Sequence, residues 1–173
     1  MKPLYILIEL ILLALFTAEA VNTFKDKDKA AKLVIWLAAF MVTSGELFNN
    51  FFSKVTVYNP GYLLWVPGTD IPLFIICSGI LVSLIIYKAS CSFGGKFLQR
   101  LIPFIFICCF FPLIELGGIR TGLWSWPSNP AVSPGWLLGV WEFYFVAMGI
   151  PALSGIILSS ILKWRSRRES SKM

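Results

Sequence analysis

Leu101-Ile-Pro-Phe-Ile-Phe-Ile-Cys-Cys-Phe-Phe-Pro-Leu-Ile-Glu-Leu-Gly-Gly-Ile-Arg-Thr-Gly-Leu-Trp-Ser-Trp-Pro127 decides how the chain is read. Its first part, 101–118, is long enough to cross the hydrocarbon core of a bilayer as a helix and carries a single charge, Glu115. A glycine-rich turn follows, then Arg120, Trp124 and Trp126. Beyond a Pro/Gly-rich connection, Gly139-Val-Trp-Glu142-Phe-Tyr-Phe145 sets a second carboxylate among aromatics, where another apolar run begins.

Comparable runs lie at about residues 4–22, 33–52, 72–87 and 137–162, so the sequence predicts five transmembrane helices. The third is short, and the fifth is long enough to tilt. Composition agrees: 57% of the residues are hydrophobic and the mean hydropathy is +0.77, far above a soluble domain. The expected fold is all-α, a polytopic membrane protein forming one transmembrane domain over 1–173, with a basic tail at 163–173. The net charge of +6 falls in short segments between apolar runs, which reads as topology and not as a nucleic-acid surface.

Charge placement sets the expected orientation. With the N-terminus outside and the C-terminus cytoplasmic, the inner segments hold Lys25, Lys27, Lys29 and Lys32, then Lys88, Lys96 and Arg100, then Lys163, Arg165, Arg167, Arg168 and Lys172. Only Lys2, Lys54 and Arg120 are left outside. Lys2, the first apolar run and Ala18-Glu19-Ala20 imitate a cleavable signal. Cutting there would leave four spans and the lysine-rich loop on the wrong face, so the first helix is expected to stay in a multi-pass protein of the plasma membrane or an endomembrane.

The two outer loops, 53–71 and 119–136, are expected to be structured. Six of the ten prolines lie in them or at Pro72, and five of the seven tryptophans fall on this side. An interfacial aromatic belt accounts for part of that, and loops folded over a site account for the rest. A faint repeat runs through both halves: Glu46 to Pro72 and Glu115 to Trp141 are each 26 residues apart.

The acidic residues carry the chemistry. Asp26, Asp28 and Glu169 lie in charged segments, whereas Glu9, Glu19, Glu46, Glu115 and Glu142 lie within apolar runs, and Asp70 at the mouth of the third. A charge at a helix centre costs roughly 2.5–3.5 kcal/mol to insert, so these side chains are expected to face the bundle interior or its boundary. Glu46, Asn49 and Asn50 share one helix face, as a cavity lining or as interhelical glue. Glu19 is expected to be structural. The chain has no histidine, which excludes imidazole catalysis and the commonest metal ligand. Its four cysteines lack Cys-x-x-Cys spacing and read as small hydrophobes. No metal and no cofactor is expected. Carboxylic acids, aromatic faces and a dry cavity suit protonation of an isoprenoid double bond, with the cation held over aromatic rings.

Glu115, Gly122, Trp124 and Trp126 form Glu-x6-Gly-x-Trp-x-Trp after an apolar span, and Glu142 with Phe143 and Phe145 opens the next. This pattern resembles the lycopene cyclase domain of integral-membrane carotenoid-biosynthesis proteins and the related carotenoid hydratases. Glu46, Tyr58 and Pro72 look like a degenerate first-half counterpart. A single glutamate stands where those families have Pro-x-Glu-Glu, and the chain is short for a two-repeat cyclase. The resemblance implies an all-helical enzyme for cyclisation, hydration or isomerisation of a carotenoid or terpenoid. Glu115 and Glu142 would then be the acid/base pair, with Glu46 and Asp70 supporting or replacing one of them. Trp124, Trp126, Trp141, Tyr58, Asn49, Asn50 and Arg120 would bind a membrane-embedded isoprenoid or other lipid. Two other classes stay open: a proton-coupled transporter using the carboxylates, and a non-enzymatic binding or assembly subunit. The oligomeric state is open too, a homo-oligomer included.

Overall fold

In a computed structural model, which describes residues 3–53, 56–94, 96–126 and 134–170, the chain is all-helical. Five stretches are long and apolar enough to cross a membrane: Pro3–Lys25, Lys29–Ser53, Leu73–Ser92, Phe97–Thr121 and Trp136–Ser170. They comprise α1 (Pro3–Lys25), α2 (Lys29–Phe48), α3 (Leu73–Ser92), α4 (Phe97–Cys108), α5 (Phe111–Thr121), α6 (Pro134–Tyr144) and α7 (Ile150–Ser170). One π turn, Asn49–Ser53, extends α2, and another, Phe145–Gly149, joins α6 to α7. Pro127 and Pro130, in the loop expected on the outer face, lie outside the described residues.

The helices outrun the apolar runs at their ends. The segment read as a basic tail is helical as far as Ser170, with Arg167 and Arg168 in the last turn, where cations suit the C-terminal end of the helix dipole. The fourth span is two helices. Pro112 has no N–H to return to the carbonyl four residues back, and the chain tightens at Cys109–Phe110, where Phe110 N–H bonds Ile107 O at 2.9 Å. Asp28 starts α2 by accepting from the Ala30 and Ala31 amides at 2.9 and 3.1 Å. Its other oxygen accepts from the Tyr87 hydroxyl of α3 at 2.8 Å.

The core is α2 wrapped by α3 and α7. Ala30, Val34, Ala38 and Val42 recur at every fourth residue of α2 and are buried against Ile80, Leu84 and Tyr87 of α3 and Ala152 and Ile156 of α7. The helices close up on small residues. At Gly155 a Cβ would overlap Val34 and come within 2.9 Å of the Tyr87 ring. Large apolar side chains point outward, among them Trp36, Phe40, Ile85, Ile102 and Phe106, as a lipid-facing surface requires.

Two carboxylates tie the more exposed α1 to the bundle. Glu9 is fully buried, and its two oxygens accept the Leu63 and Leu64 amides at 2.8 and 2.9 Å. At the opposite, basic end Glu19 pairs with Lys88, so both mid-sequence acids of α1 are structural. Between α2 and α3 the chain forms β1 (Val57–Tyr58), which pairs antiparallel with β2 (Trp124–Ser125) of the second loop. The register sets Tyr58 opposite Trp124. The loops therefore meet in a ribbon at one end of the bundle.

Candidate functional site

The turn after α5 builds half of the site. Gly122 sits at φ +73°, in the left-handed region that glycine occupies without penalty. The Gly122 and Leu123 amides bond back to Ile119 O and Gly118 O at 3.0 and 2.9 Å, closing the helix and reversing the chain. Trp124 then lies against Gly118 so closely that a Cβ there would overlap its ring. This brings the Trp124 Nε1–H to Glu115 Oε1 at 2.7 Å. Trp126 Nε1–H donates to the same oxygen, and the Tyr144 hydroxyl donates to Oε2. Glu115 is buried, 2% exposed, and answered by three donors. An indole N–H cannot accept, so Oε1 is fixed as an acceptor.

The first loop repeats this arrangement in lighter form. β1 carries Tyr58 back over the end of α2, where its hydroxyl donates to Glu46 Oε2 at 2.5 Å. Glu46 is 5% exposed, and its Oε1 has no hydrogen-bond partner among the described residues. Each half thus ends a span on a glutamate and returns an aromatic donor to it from the ribbon. Asn59 locks the halves together, its side chain donating to Gly122 O at 3.1 Å and its amide to Leu123 O at 3.2 Å.

Between the halves lies an apolar cavity of about 230 Å³. Glu46, Tyr58, Trp124, Trp126, Phe143 and Tyr144 line it, with Val42, Phe74 and Met148 forming the apolar wall. The π turn at Phe145–Gly149 turns Ala147 and Met148 toward it, a use of π turns that recurs at functional sites. Glu115 stands one layer behind the three side chains that bind it. Glu46 is the carboxylate that faces the space.

Burial raises the pKa of the Tyr58 hydroxyl well above the ordinary tyrosine range, and Glu46, then Tyr144 and Glu115, push it the same way. Tyr62, whose hydroxyl donates to Leu123 O at 2.9 Å, is raised chiefly by burial. Both phenols bind their protons more tightly folded than unfolded. Their contribution is therefore complete below about pH 10 and is lost as pH climbs toward the folded pKa values. In a spectrophotometric alkaline titration these two phenolates are expected to appear only with unfolding of the ribbon. Tyr58→Phe and Tyr62→Phe should each move that transition upward.

Several expected site residues are elsewhere. Glu142 is exposed on α6 and does not line the cavity, because it is two residues from Tyr144 and so on the other side of the helix. Asp70 is exposed, and with the half-buried Asn50 it borders shallow clefts outside the cavity. Asn49 is buried, but it grips Thr56, accepting its amide at 3.1 Å and donating to its carbonyl at 3.2 Å. Arg120 is exposed, and Trp141 is 38% exposed and stacks on Phe145. Tyr144 is the residue missed. Its signal was the stripe Trp136, Val140, Tyr144, buried at every fourth residue of α6.

Among the described residues no group of three His, Cys, Asp or Glu side chains converges as metal ligands. No family model matches the chain, and no curated protein or solved structure is significantly similar to it.

Gly118→Ala tests the packing. The added methyl is expected to push Trp124 off α5, lengthen its bond to Glu115 and shift indole fluorescence to the red. Gly117→Ala is the control, since a Cβ there meets nothing within 4 Å.

Proposed function

We propose that this chain is an integral-membrane enzyme that performs acid/base carbocation chemistry on one end of an isoprenoid lipid. The observation that carries this reading is the pairing across one apolar, aromatic-walled cavity of two unequal carboxylates. Glu46 faces the space with one oxygen unbonded among the described residues, and Glu115 is held behind the wall by three donors.

Glu46 is the proton donor. Its Oε2 is fixed by Tyr58, which leaves Oε1 to carry the proton into the cavity. Protonation of a carbon–carbon double bond consumes that proton and leaves a carbocation. The faces of Trp124, Trp126 and Tyr144 stabilise the cation, and the negative charge of Glu115 behind them deepens the same well. The cation then closes on a second double bond or migrates. Loss of a neighbouring proton to the now anionic Glu46 ends the cycle with acid and atoms restored. Cyclisation and isomerisation need nothing further; hydration adds one water.

A volume of about 230 Å³ lies below the roughly 300–1,000 Å³ of pockets for drug-sized ligands. The site therefore accepts the end of a long chain whose remainder stays in the bilayer. A transporter is less well supported. Toward the basic end fully buried apolar side chains, including Ala38, Leu84, Ala152 and Ile156, fill the bundle centre, which leaves Glu46 and Glu115 at the other end. Running the reaction in deuterium oxide tests the proton step. The product is expected to gain one deuterium at a carbon, and unlabelled product would remove Glu46 from the acid role.

A further inference from the structure

The basic end holds a second polar feature that the proposed chemistry does not use. Arg100 of α4 is fully buried, and among the described residues no carboxylate comes within ion-pair distance of it. Its Nε–H donates to Gly94 O at 3.0 Å, and Nη1 donates to the hydroxyls of Ser159 and Ser160 on α7 at 3.2 and 3.1 Å. Nη2 is buried and has no hydrogen-bond partner among the described residues. A guanidinium withdrawn from water with only neutral acceptors is an uncompensated charge, and its planar fork suits two oxygens of a phosphate.

Beside it runs a groove of about 340 Å³ between α4 and α7, lined by Phe97, Ile157, Ser160, Ile161 and Trp164. Ser160 is its polar member and the residue through which Arg100 reaches it. The rest is apolar, with Ile157, Ile161 and Trp164 exposed toward the surroundings. Lys96, Lys163 and Arg165 follow at the same end and are exposed.

We propose that this groove is a binding site for one anionic phospholipid, with an acyl chain against Phe97, Ile157 and Ile161 and the headgroup phosphate on Arg100 and Ser160. Rotation of the Ser160 side chain opens the guanidinium to the groove, and phosphate oxygens take the positions on Nη1 and Nη2. Charge complementarity and the apolar wall select this occupant: a free phosphate satisfies the cation but not the groove, and a zwitterionic lipid satisfies the groove with weaker net attraction. The proposal stands independently of the carboxylate chemistry.

The test uses full-length protein stripped of lipid in detergent and supplied with phosphatidylglycerol, phosphatidylcholine or sodium phosphate. Native mass spectrometry and thermal unfolding are the two readouts. Phosphatidylglycerol is expected to remain as a one-to-one adduct and to raise the melting temperature above either alternative. Arg100→Gln is expected to lower its retention at least about tenfold, the loss of one charge-assisted contact. Ile157→Trp fills the groove without touching Arg100 and is expected to abolish the adduct, which keeps the test decisive if Arg100→Gln does not fold. Equal retention of the two lipids, equal stabilisation by phosphate alone, or a persistent adduct in Ile157→Trp would each overturn the proposal.

Discussion

Glu46→Gln is expected to lower product formation by about 10²–10⁴-fold, the span that a positioned general acid contributes, while the protein inserts and melts nearly as wild type. The substitution is isosteric and keeps an oxygen for the Tyr58 hydroxyl, which donates to Glu46 at 2.5 Å. What it removes is the proton. Tyr58→Phe leaves the acid but frees its side chain to rotate, so a smaller loss is expected, with kcat falling more than KM rises. Glu142→Gln is the counter-experiment. Glu142 is exposed and outside the cavity, and its loss is expected to change neither turnover nor melting. Quantifying product against membrane-inserted protein for all three separates this arrangement from the Glu115–Glu142 pair that the resemblance suggests.

The second large effect is on stability. Glu115→Ala is expected to cost at least about 3 kcal/mol, because it strands two indole N–H groups and a phenol at roughly 1–3 kcal/mol for each unsatisfied buried group. The three donors come from the second loop and α6, so their loss loosens the ribbon, and with it Tyr58, which pairs opposite Trp124. A lowered melting temperature in detergent and a red shift in tryptophan emission are the expected readouts. Glu115→Gln keeps one acceptor but turns an amide N–H toward a donor, and is expected to fall between. Unchanged melting in Glu115→Ala would mean that the three hydrogen bonds do not hold the loop.

The spans were legible because bilayer thickness imposes a length on apolar runs, and the 101–118 run declares it with a single charge. That Glu46, Glu115, Tyr58, Trp124 and Trp126 gather at one end of the bundle was also legible, since carboxylates and indoles at a span's end are costly to place without a partner. Which carboxylate faces the cavity was not. That depends on the left-handed turn at Gly122 and on the fit of Trp124 against Gly118, which together wrap Glu115 in donors and leave Glu46 open. The exposed face of Glu142 was not legible for a simpler reason: sequence neighbourhood to aromatics says nothing of helix face, and the buried stripe of α6 runs through Tyr144. Arg100 read as one more topological cation, and only the packing of α4 on α7 shows it buried beside Ser159 and Ser160.

Comparative mass spectrometry of lipid extracts tests the central claim most directly. An isoprenoid-producing host would express wild type, Glu46→Gln or Glu142→Gln at matched membrane levels. The expected result is a new species in the wild type and Glu142→Gln extracts alone, isomeric with a host isoprenoid or heavier by one water. Identical extracts from all three across several precursor backgrounds, or a product that survives Glu46→Gln, would contradict it.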